Sequence, residues 1–279
     1  MKASNTRVSF PDFSVHVEHN IVFTERQSAR LALDLYLPHH ETKALVVYAY
    51  GGGFTRGTRR SDFISQLAKR ITGEGYTLAA IDYRLNTSPE SIEKEQQKII
   101  SQNMERGLGA GVSLARRLMG FRCEAARQDI GEALAFLKRN RLQWGIHNER
   151  IGLIGTSAGG IAGMALAYAP RHLPNLPSPD AVFVLGGTLI HPWRLRSDGP
   201  HCVFLHSTFD RIIAPKTLHL VKKRAEQTGA PIEVLFCSRK GHNAPNQALF
   251  EDSDETGASY WGHMIALFET ELNPSLANV

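Results

Sequence analysis

Along this chain, short runs of apolar residues alternate with stretches in which apolar positions recur every three or four residues. Residues 13–23 alternate weakly (Val15, Val17, Ile21, Phe23), and Leu31-Ala32-Leu33-Asp34-Leu35-Tyr36-Leu37 alternates clearly until Pro38 ends it. A period of two marks a strand with one covered face, so the two segments predict an antiparallel pair at a sheet edge. Ala44 to Tyr50 is a continuous apolar run, suited to a strand covered on both faces, and Tyr76 to Asp82 reads as the next buried strand. Further strands are expected at Ile151–Ile154, Ala181–Leu185, Val203–His206 and Ile232–Phe236. Helices fit between and after them. One spans Asp62 to Thr72, with Phe63, Ile64, Leu67, Ala68 and Ile71 on one face, and another lies near Asp129–Arg139. Two more lie near Pro215–Thr228 and Tyr260–Leu272. Strands alternating with helices predict an α/β fold with a mostly parallel, doubly wound sheet, in which chemistry collects at the carboxyl ends of strands.

The segment 86–127 departs from this rhythm. Ser88-Pro89-Glu90 is a helix start, with a hydroxyl cap and proline in the first turn. Ile92, Ile99, Ile100 and Met104 then share one narrow face among Glu, Lys and Gln. Gly107-Leu108-Gly109-Ala110-Gly111 breaks the pattern ahead of a second helical stretch around Val112–Met119. A polar helix with a thin apolar stripe and a glycine hinge fits a flap or cap over a site, or equally a surface excursion packed on the sheet edge.

Composition narrows the class. The 279 residues carry no internal repeat, low-complexity tract or Pro/Ser-rich linker, so one domain over 1–279 is expected, with 86–127 as a helical insertion. Hydrophobic content of 42% and charged content of 21% are those of a globular protein. No apolar run reaches the roughly 18 residues of a membrane span. Met1-Lys2-Ala3-Ser4-Asn5-Thr6-Arg7 has no apolar core of the signal-peptide kind, which predicts a cytoplasmic protein. The net charge of +5 raises the question of a polyanion partner, but arginines are spread and no nucleic-acid motif accompanies them. The densest cluster, Arg56, Arg59 and Arg60, reads as a solvated face, so no nucleic-acid partner is expected. Cys123, Cys202 and Cys237 are too few and too scattered for a disulfide framework or a zinc site; they read as reduced, semi-buried packing residues, and no metal is expected.

The candidate chemistry centres on Ile151-Gly152-Leu153-Ile154-Gly155-Thr156-Ser157-Ala158-Gly159-Gly160. An apolar strand running into Gly-x-Ser-x-Gly and then small residues reads as strand, sharp turn and helix. The glycines let strand and helix pass closely, and the turn lifts the Ser157 hydroxyl above the helix N-terminus. The plain alternative is an ordinary strand–helix turn. A serine becomes a nucleophile only when a base takes its proton and an acceptor holds that base in the right tautomer. Asp210 directly follows the strand 203–206, and His242 follows the next strand, giving the order Ser157, Asp210, His242. Asp198 comes too early, and Asp252 and Asp254 come after the histidine; His206 is expected to make a structural hydrogen bond. Gly51-Gly52-Gly53 ends an earlier strand, so the backbone N–H groups of Gly52 and Gly53, with that of Ala158, can form an oxyanion hole.

Gly51-Gly52-Gly53-Phe54, Asp82-Tyr83-Arg84-Leu85, Gly155-Thr156-Ser157-Ala158-Gly159-Gly160, Asp210 and Gly241-His242 together resemble the α/β-hydrolase superfamily, more narrowly its carboxylesterase and hormone-sensitive-lipase-like branch. The resemblance covers roughly residues 20 to 272. It implies an eight-stranded sheet, a Ser–His–Asp triad of Ser157, His242 and Asp210, no cofactor, and hydrolysis of a small-molecule carboxylic ester. Asp82-Tyr83-Arg84 is structural in such enzymes. Three departures stand out. Tyr50 replaces the histidine that commonly precedes the glycine run, the N-terminus is short for a helical cap, and the extra length sits at 86–127 instead of at 186–201. Phe54, Ile190, His191, Trp193, Phe209 and Ile212 follow strand ends and are candidate pocket residues, and Arg56, Arg59 and Arg60 could select anionic substrates. Small-to-medium acyl chains are expected because no broad apolar lid is visible. An arylformamidase-like or peptidase-like amide hydrolase uses the same parts, and a non-catalytic hydrolase-fold binding protein is the alternative from another class.

Overall fold

The computed structural model describes residues 4–10, 13–26 and 29–273, with side chains for 15–26 and 29–273; Met1–Ala3 and the stretch 274–279, the two ends of the expected domain, lie outside them. The strands are β1 (Ser4–Phe10), β2 (Phe13–Arg26), β3 (Ala29–Leu37), β4 (Leu45–Ala49), β5 (Thr77–Ile81), β6 (Ile151–Thr156), β7 (Ala181–Leu185), β8 (His201–Ser207) and β9 (Ile232–Cys237). The helices are α1 (Asp62–Gly73), α2 (Lys94–Gly109), α3 (Phe121–Asn140), α4 (Ala158–Ala167), α5 (Pro215–Thr228), α6 (Ala244–Glu251) and α7 (Tyr260–Leu272).

Among the described residues nine strands join one sheet in the order β1-β2-β3-β5-β4-β6-β7-β8-β9. The antiparallel edge pair expected from the period-two segments is β2 and β3, and β1 adds a ninth strand outside the eight from β2 to β9. From β5 to β9 the sheet is parallel. Its central strands read as continuous apolar runs because both faces are covered; every residue of β4, β5, β6 and β7 is buried. Neighbouring strand residues point to opposite faces. A Cβ on Gly152 would meet Phe268 of α7, whereas Leu153 meets Gly163 of α4, so α7 and α4 cover opposite faces. Phe63 of α1, Phe250 of α6 and Trp261 of α7 pack in sequence as tilted rings, with centroids 5.4 and 5.8 Å apart, and tie these three helices together.

The chain leaves β4 through α1 to β5 on one side, then crosses to β6 on the other. That reversal is a topological switch point, and it opens a crevice beyond the carboxyl ends of β4 and β6. Register pairs Ala49 with Gly155, so the loops after the two strands leave the sheet side by side.

The segment 86–127 differs from its expected layout. Pro89–Ser91 is a 3-10 turn, and α2 runs through Gly107 and Gly109 without a break, ending where Gly111 takes a positive φ of 94°. Gly107 is small because the helix passes close to its neighbours: a Cβ there would lie 2.8 Å from both the Ile190 carbonyl oxygen and the Met119 methyl. The stretch expected to be helical at Val112–Met119 forms only a 3-10 turn at Arg116–Leu118. Helix α3 begins at Phe121, eight residues before the expected start, because its first turns bury a charged pair that reads as polar surface. Arg127 and Glu124 are both buried and joined by two hydrogen bonds of 2.7 Å. No described helix is long and apolar enough to cross a membrane.

Candidate active site

Ser157 sits between β6 and α4 with φ 48° and ψ −113°, a conformation that L-residues avoid and that costs on the order of 1–3 kcal/mol. The turn is held from several directions. The Ser157 N–H donates to the Leu185 carbonyl at 2.8 Å, and its own carbonyl accepts from the Ile161 N–H at 2.9 Å. Closeness is what the motif glycines supply: a Cβ on Gly159 would lie 2.2 Å from the Ala49 carbonyl oxygen of β4. No side chain could enter there.

Asp210 and His242 come to the same place from the ends of β8 and β9. Ser157 Oγ is 2.7 Å from His242 Nε2, and His242 Nδ1 is 2.7 Å from Asp210 Oδ2. The other Asp210 oxygen, Oδ1, accepts the N–H groups of Ile212 at 2.7 Å and Ile213 at 3.0 Å. Burial pushes the Asp210 carboxyl up; hydrogen bonds from His242 and from the Ile213 and Ile212 N–H groups outweigh it, and the pKa falls below the ordinary carboxylate range. An ionised Asp210 accepts a proton-bearing Nδ1, which leaves the Nε2 lone pair for the serine hydroxyl.

His206 stands behind the acid. It is fully buried, its Nε2 donates to the Ile213 carbonyl at 2.9 Å, and the same nitrogen lies 3.5 Å from Asp210 Oδ2. The structural hydrogen bond expected of it is therefore present. The other acids are engaged elsewhere: Asp198 with Arg196, Asp252 with Arg239 and Asp254 with His263.

The loop after β4 also approaches the serine: a Cβ on Gly51 would lie 3.2 Å from Ser157 Cβ. Gly52, Gly53 and Phe54 take positive φ in succession (129°, 64° and 63°), which turns the chain sharply after β4. A Cβ on Gly52 would lie 1.9 Å from the Arg56 carbonyl oxygen, so the turn closes only with glycine. Among the described residues, neither the Gly52 nor the Gly53 N–H donates to a backbone carbonyl. Ala158 begins α4, where first-turn amides have no partner within the helix.

A cavity of about 900 Å³ lies over Ser157 and His242. Of the six pocket candidates, only Ile212 lines it. Phe54 is wholly buried, with its ring 6.2 Å from Tyr83, because the positive-φ turn directs it inward. Ile190 and His191 are buried against a small void shared with Ile100 and Met119, beneath α2. Trp193 stacks under Arg106 of α2, with the guanidinium 4.7 Å from the ring centre. Phe209 is exposed, with Lys240 over its ring. Residues that the sequence reading missed form much of the wall: Phe63 and Gln66 of α1, Arg117 and Leu118 of the 3-10 turn, and Asn246, Gln247 and Phe250 of α6. Helix α6 had a legible start signal, since Asn243 is followed by Pro245 in the first turn.

The arginine cluster is also placed differently from a uniform solvated face. Arg59 pairs with Asp34 and Asp82, and Arg60 with Asp34; only Arg56 lines the cavity. Cys123, Cys202 and Cys237 are unpaired and fully buried, deeper than expected. Among the described residues no group of three or more His, Cys, Asp or Glu side chains is arranged to hold a metal ion.

The model of the BD-FAE family matches residues 33–99, which run from β3 through the glycine loop and β5 into the start of α2. No curated protein matches the chain in sequence. Among solved structures, esterase 2 of Thermogutta terrifontis phosphonylated by cyclosarin superposes with a TM-score of 0.65 at 17% identity, covering 95% of this chain and 96% of that one. The native form of that esterase gives 0.64 at 16% identity over 90% and 91% of the two chains. Its butyrate-bound form gives 0.62 at 16% identity over 90% and 93%. At this identity the likeness concerns architecture: the chain has the α/β-hydrolase fold.

Proposed function

We propose that the protein is a cofactor-free serine hydrolase of carboxylic esters with small-to-medium acyl chains. The observation that carries this reading is the pair of 2.7 Å links from Ser157 Oγ to His242 Nε2 and from His242 Nδ1 to Asp210. Ser157 attacks the ester carbonyl while His242 takes its proton. The tetrahedral oxyanion rests on the N–H groups of Gly52, Gly53 and Ala158, and one such donor contributes about 3 kcal/mol to the barrier reduction. His242 then returns its proton to the leaving alcohol. Water, deprotonated by the same imidazole, releases the acid and restores the serine.

A small acyl group suits a cavity walled by Tyr50, Phe63, Leu118 and Phe250, and it is in keeping with the butyrate held by the Thermogutta esterase. The turn Arg116–Leu118 brings the insertion 86–127 to the rim of this cavity, which supports its reading as a small cap on a single domain. Three buried, unpaired thiols suit the reducing cytoplasm.

The test is a panel of esters, with amides of matched acyl groups, assayed on wild type and Ser157→Ala beside labelling with an organophosphonate. Expected are ester turnover that exceeds amide turnover, a covalent adduct on Ser157, and loss of both in Ser157→Ala with its melting transition retained. Amide turnover above ester turnover would make the protein an amidase. A folded wild type with neither adduct nor turnover would leave a binding protein and overturn the proposal.

A further inference from the structure

We infer that the cavity over Ser157 takes substrates bearing an anionic group, held by Arg56 and Arg117. The inference rests on the hydrolase reading above and adds the substrate's charge to it. Most arginines near the site are already engaged. Arg59 and Arg60 lie on Asp34 and Asp82, Arg239 on Glu251 and Asp252, and Arg116 on Glu105. Arg56 and Arg117 differ. Both line the cavity with Ser157, both are exposed, and among the described residues neither guanidinium has a hydrogen-bonded or ion-paired partner.

Their backbones are fixed beside the Gly52–Gly53 loop. The Arg56 N–H donates to the Gly52 carbonyl at 3.3 Å, so this arginine is part of the same turn as the oxyanion amides. Arg117 enters from the insertion through the turn Arg116–Leu118, where Leu118 Cδ2 lies 3.8 Å from the position of a Cβ on Gly53. One guanidinium thus comes from the loop after β4 and the other from the insertion at the rim. Two carboxylates, Glu251 and Asp62, line the same cavity. Glu251 is held by Arg239 at 2.8 Å and by Gln247 at 2.9 Å. Asp62 lies in the first turn of α1, where its charge complements the helix N-terminus. Two planar guanidiniums lining one cavity fit the oxygens of a carboxylate or phosphate, which each can grip with two parallel N–H donors. An anion several bonds from the scissile carbonyl would meet them while the carbonyl oxygen meets the glycine loop.

The test compares kcat/KM for two pairs: phenyl hydrogen glutarate against phenyl pentanoate, and the acetyl ester of 4-hydroxyphenylacetate against that of its amide. The first pair charges the acyl side and the second the leaving side. Wild type should favour the anionic member of at least one pair by about tenfold or more, the scale of a charge-assisted hydrogen bond. That ratio should fall toward one in Arg56→Gln/Arg117→Gln and persist in Arg224→Gln, a change on the outer helix α5. Competition by glutarate and by inorganic phosphate then assigns the oxyanion: stronger competition by glutarate assigns a carboxylate, the reverse order a phosphate. Turnover of the neutral esters with no anionic preference, or a preference that survives the double substitution, overturns the inference and leaves the hydrolase reading intact. Absence of all turnover overturns the hydrolase reading instead. Calorimetry with glutarate and phosphate then decides the anion site separately: binding lost in the double variant supports it, and no binding to wild type overturns it.

Discussion

The Tyr83 hydroxyl donates to the Tyr50 carbonyl at 2.7 Å, and the two rings stack with centroids 4.4 Å apart. Tyr83 follows β5 and Tyr50 follows β4, so this bond ties the loop after β4, which carries the glycine run, to the end of its neighbour. The phenol is buried, and that burial pushes its pKa well above the ordinary tyrosine range, so it remains a donor at any working pH. Tyr83→Phe keeps the stacking and removes the donor, leaving a buried carbonyl without its partner. The expected cost is about 1–3 kcal/mol of stability, read from urea unfolding. The looser loop should also lower kcat on esters by about tenfold with little change in KM, less than the loss of an oxyanion donor itself. An unchanged kcat would show that Gly52 and Gly53 are positioned without Tyr83.

Glu124 and Arg127 allow a sharper test of what burial costs. Arg127 is wholly buried, and its Nη1 has no hydrogen-bond partner. Arg127→Met alone leaves Glu124 charged in the interior, and the expected loss is about 3–5 kcal/mol. Replacing both with Glu124→Leu/Arg127→Met removes the pair as well as its desolvation, so stability should return to within about 1–2 kcal/mol of wild type or exceed it. Urea midpoints of the single and double variants measure this directly. Equal losses in both would mean the pair contributes more than its desolvation costs.

The same pair shows why parts of the chain were illegible. The sheet was readable because parallel strands covered on both faces are uninterrupted apolar runs, and β7 and α5 match their expected bounds residue for residue. Ser157, Asp210 and His242, which the structure brings together, were singled out because each lies in the loop after an expected strand. Helix α3 was half hidden, since a charged pair three residues apart looks like a solvated face whether or not it is buried. The pocket was the least legible. Position after a strand end places a residue near the carboxyl edge, but it does not tell which way a loop turns. Phe54 turns inward on a positive φ, and His191 goes beneath α2. Arg117 could not be found at all, since it reaches the site from an insertion whose docking depends on side chains such as Leu118 and Met119.

His191 is expected to make the fold sensitive to acid. It is buried, its Nδ1 has no partner, and burial together with the charges of Arg127 and Arg194 depresses its pKa to about 3. A histidine held below its unfolded value favours the neutral ring. Its stabilising share is therefore complete above about pH 6.5 and is lost as pH falls toward the folded value. The loss between pH 6.5 and 4 should be roughly 3 kcal/mol. Urea unfolding across that range should show the slope in wild type and a shallower one in His191→Gln, whose amide does not titrate. Identical slopes would place the acid sensitivity elsewhere.

Asp210→Asn should separate the acid's charge from its shape. Oδ1 accepts two backbone N–H groups, from Ile212 and Ile213, and only an oxygen can satisfy both. An asparagine must therefore place its oxygen there and turn its NH2 toward His242 Nδ1. Two donors cannot face each other, so the imidazole would carry its proton on Nε2 and present an N–H to the Ser157 oxygen. That tautomer cannot take the serine proton. With geometry nearly unchanged, kcat on esters should fall by on the order of 10⁴. KM should move little, because Asp210 is buried away from the substrate cavity. Melting curves and ester kinetics on the purified variant check both halves. A fall of less than tenfold in a folded variant would mean that another group orients His242, and His206, whose Nε2 lies 3.5 Å from Asp210 Oδ2, would be the next residue to replace.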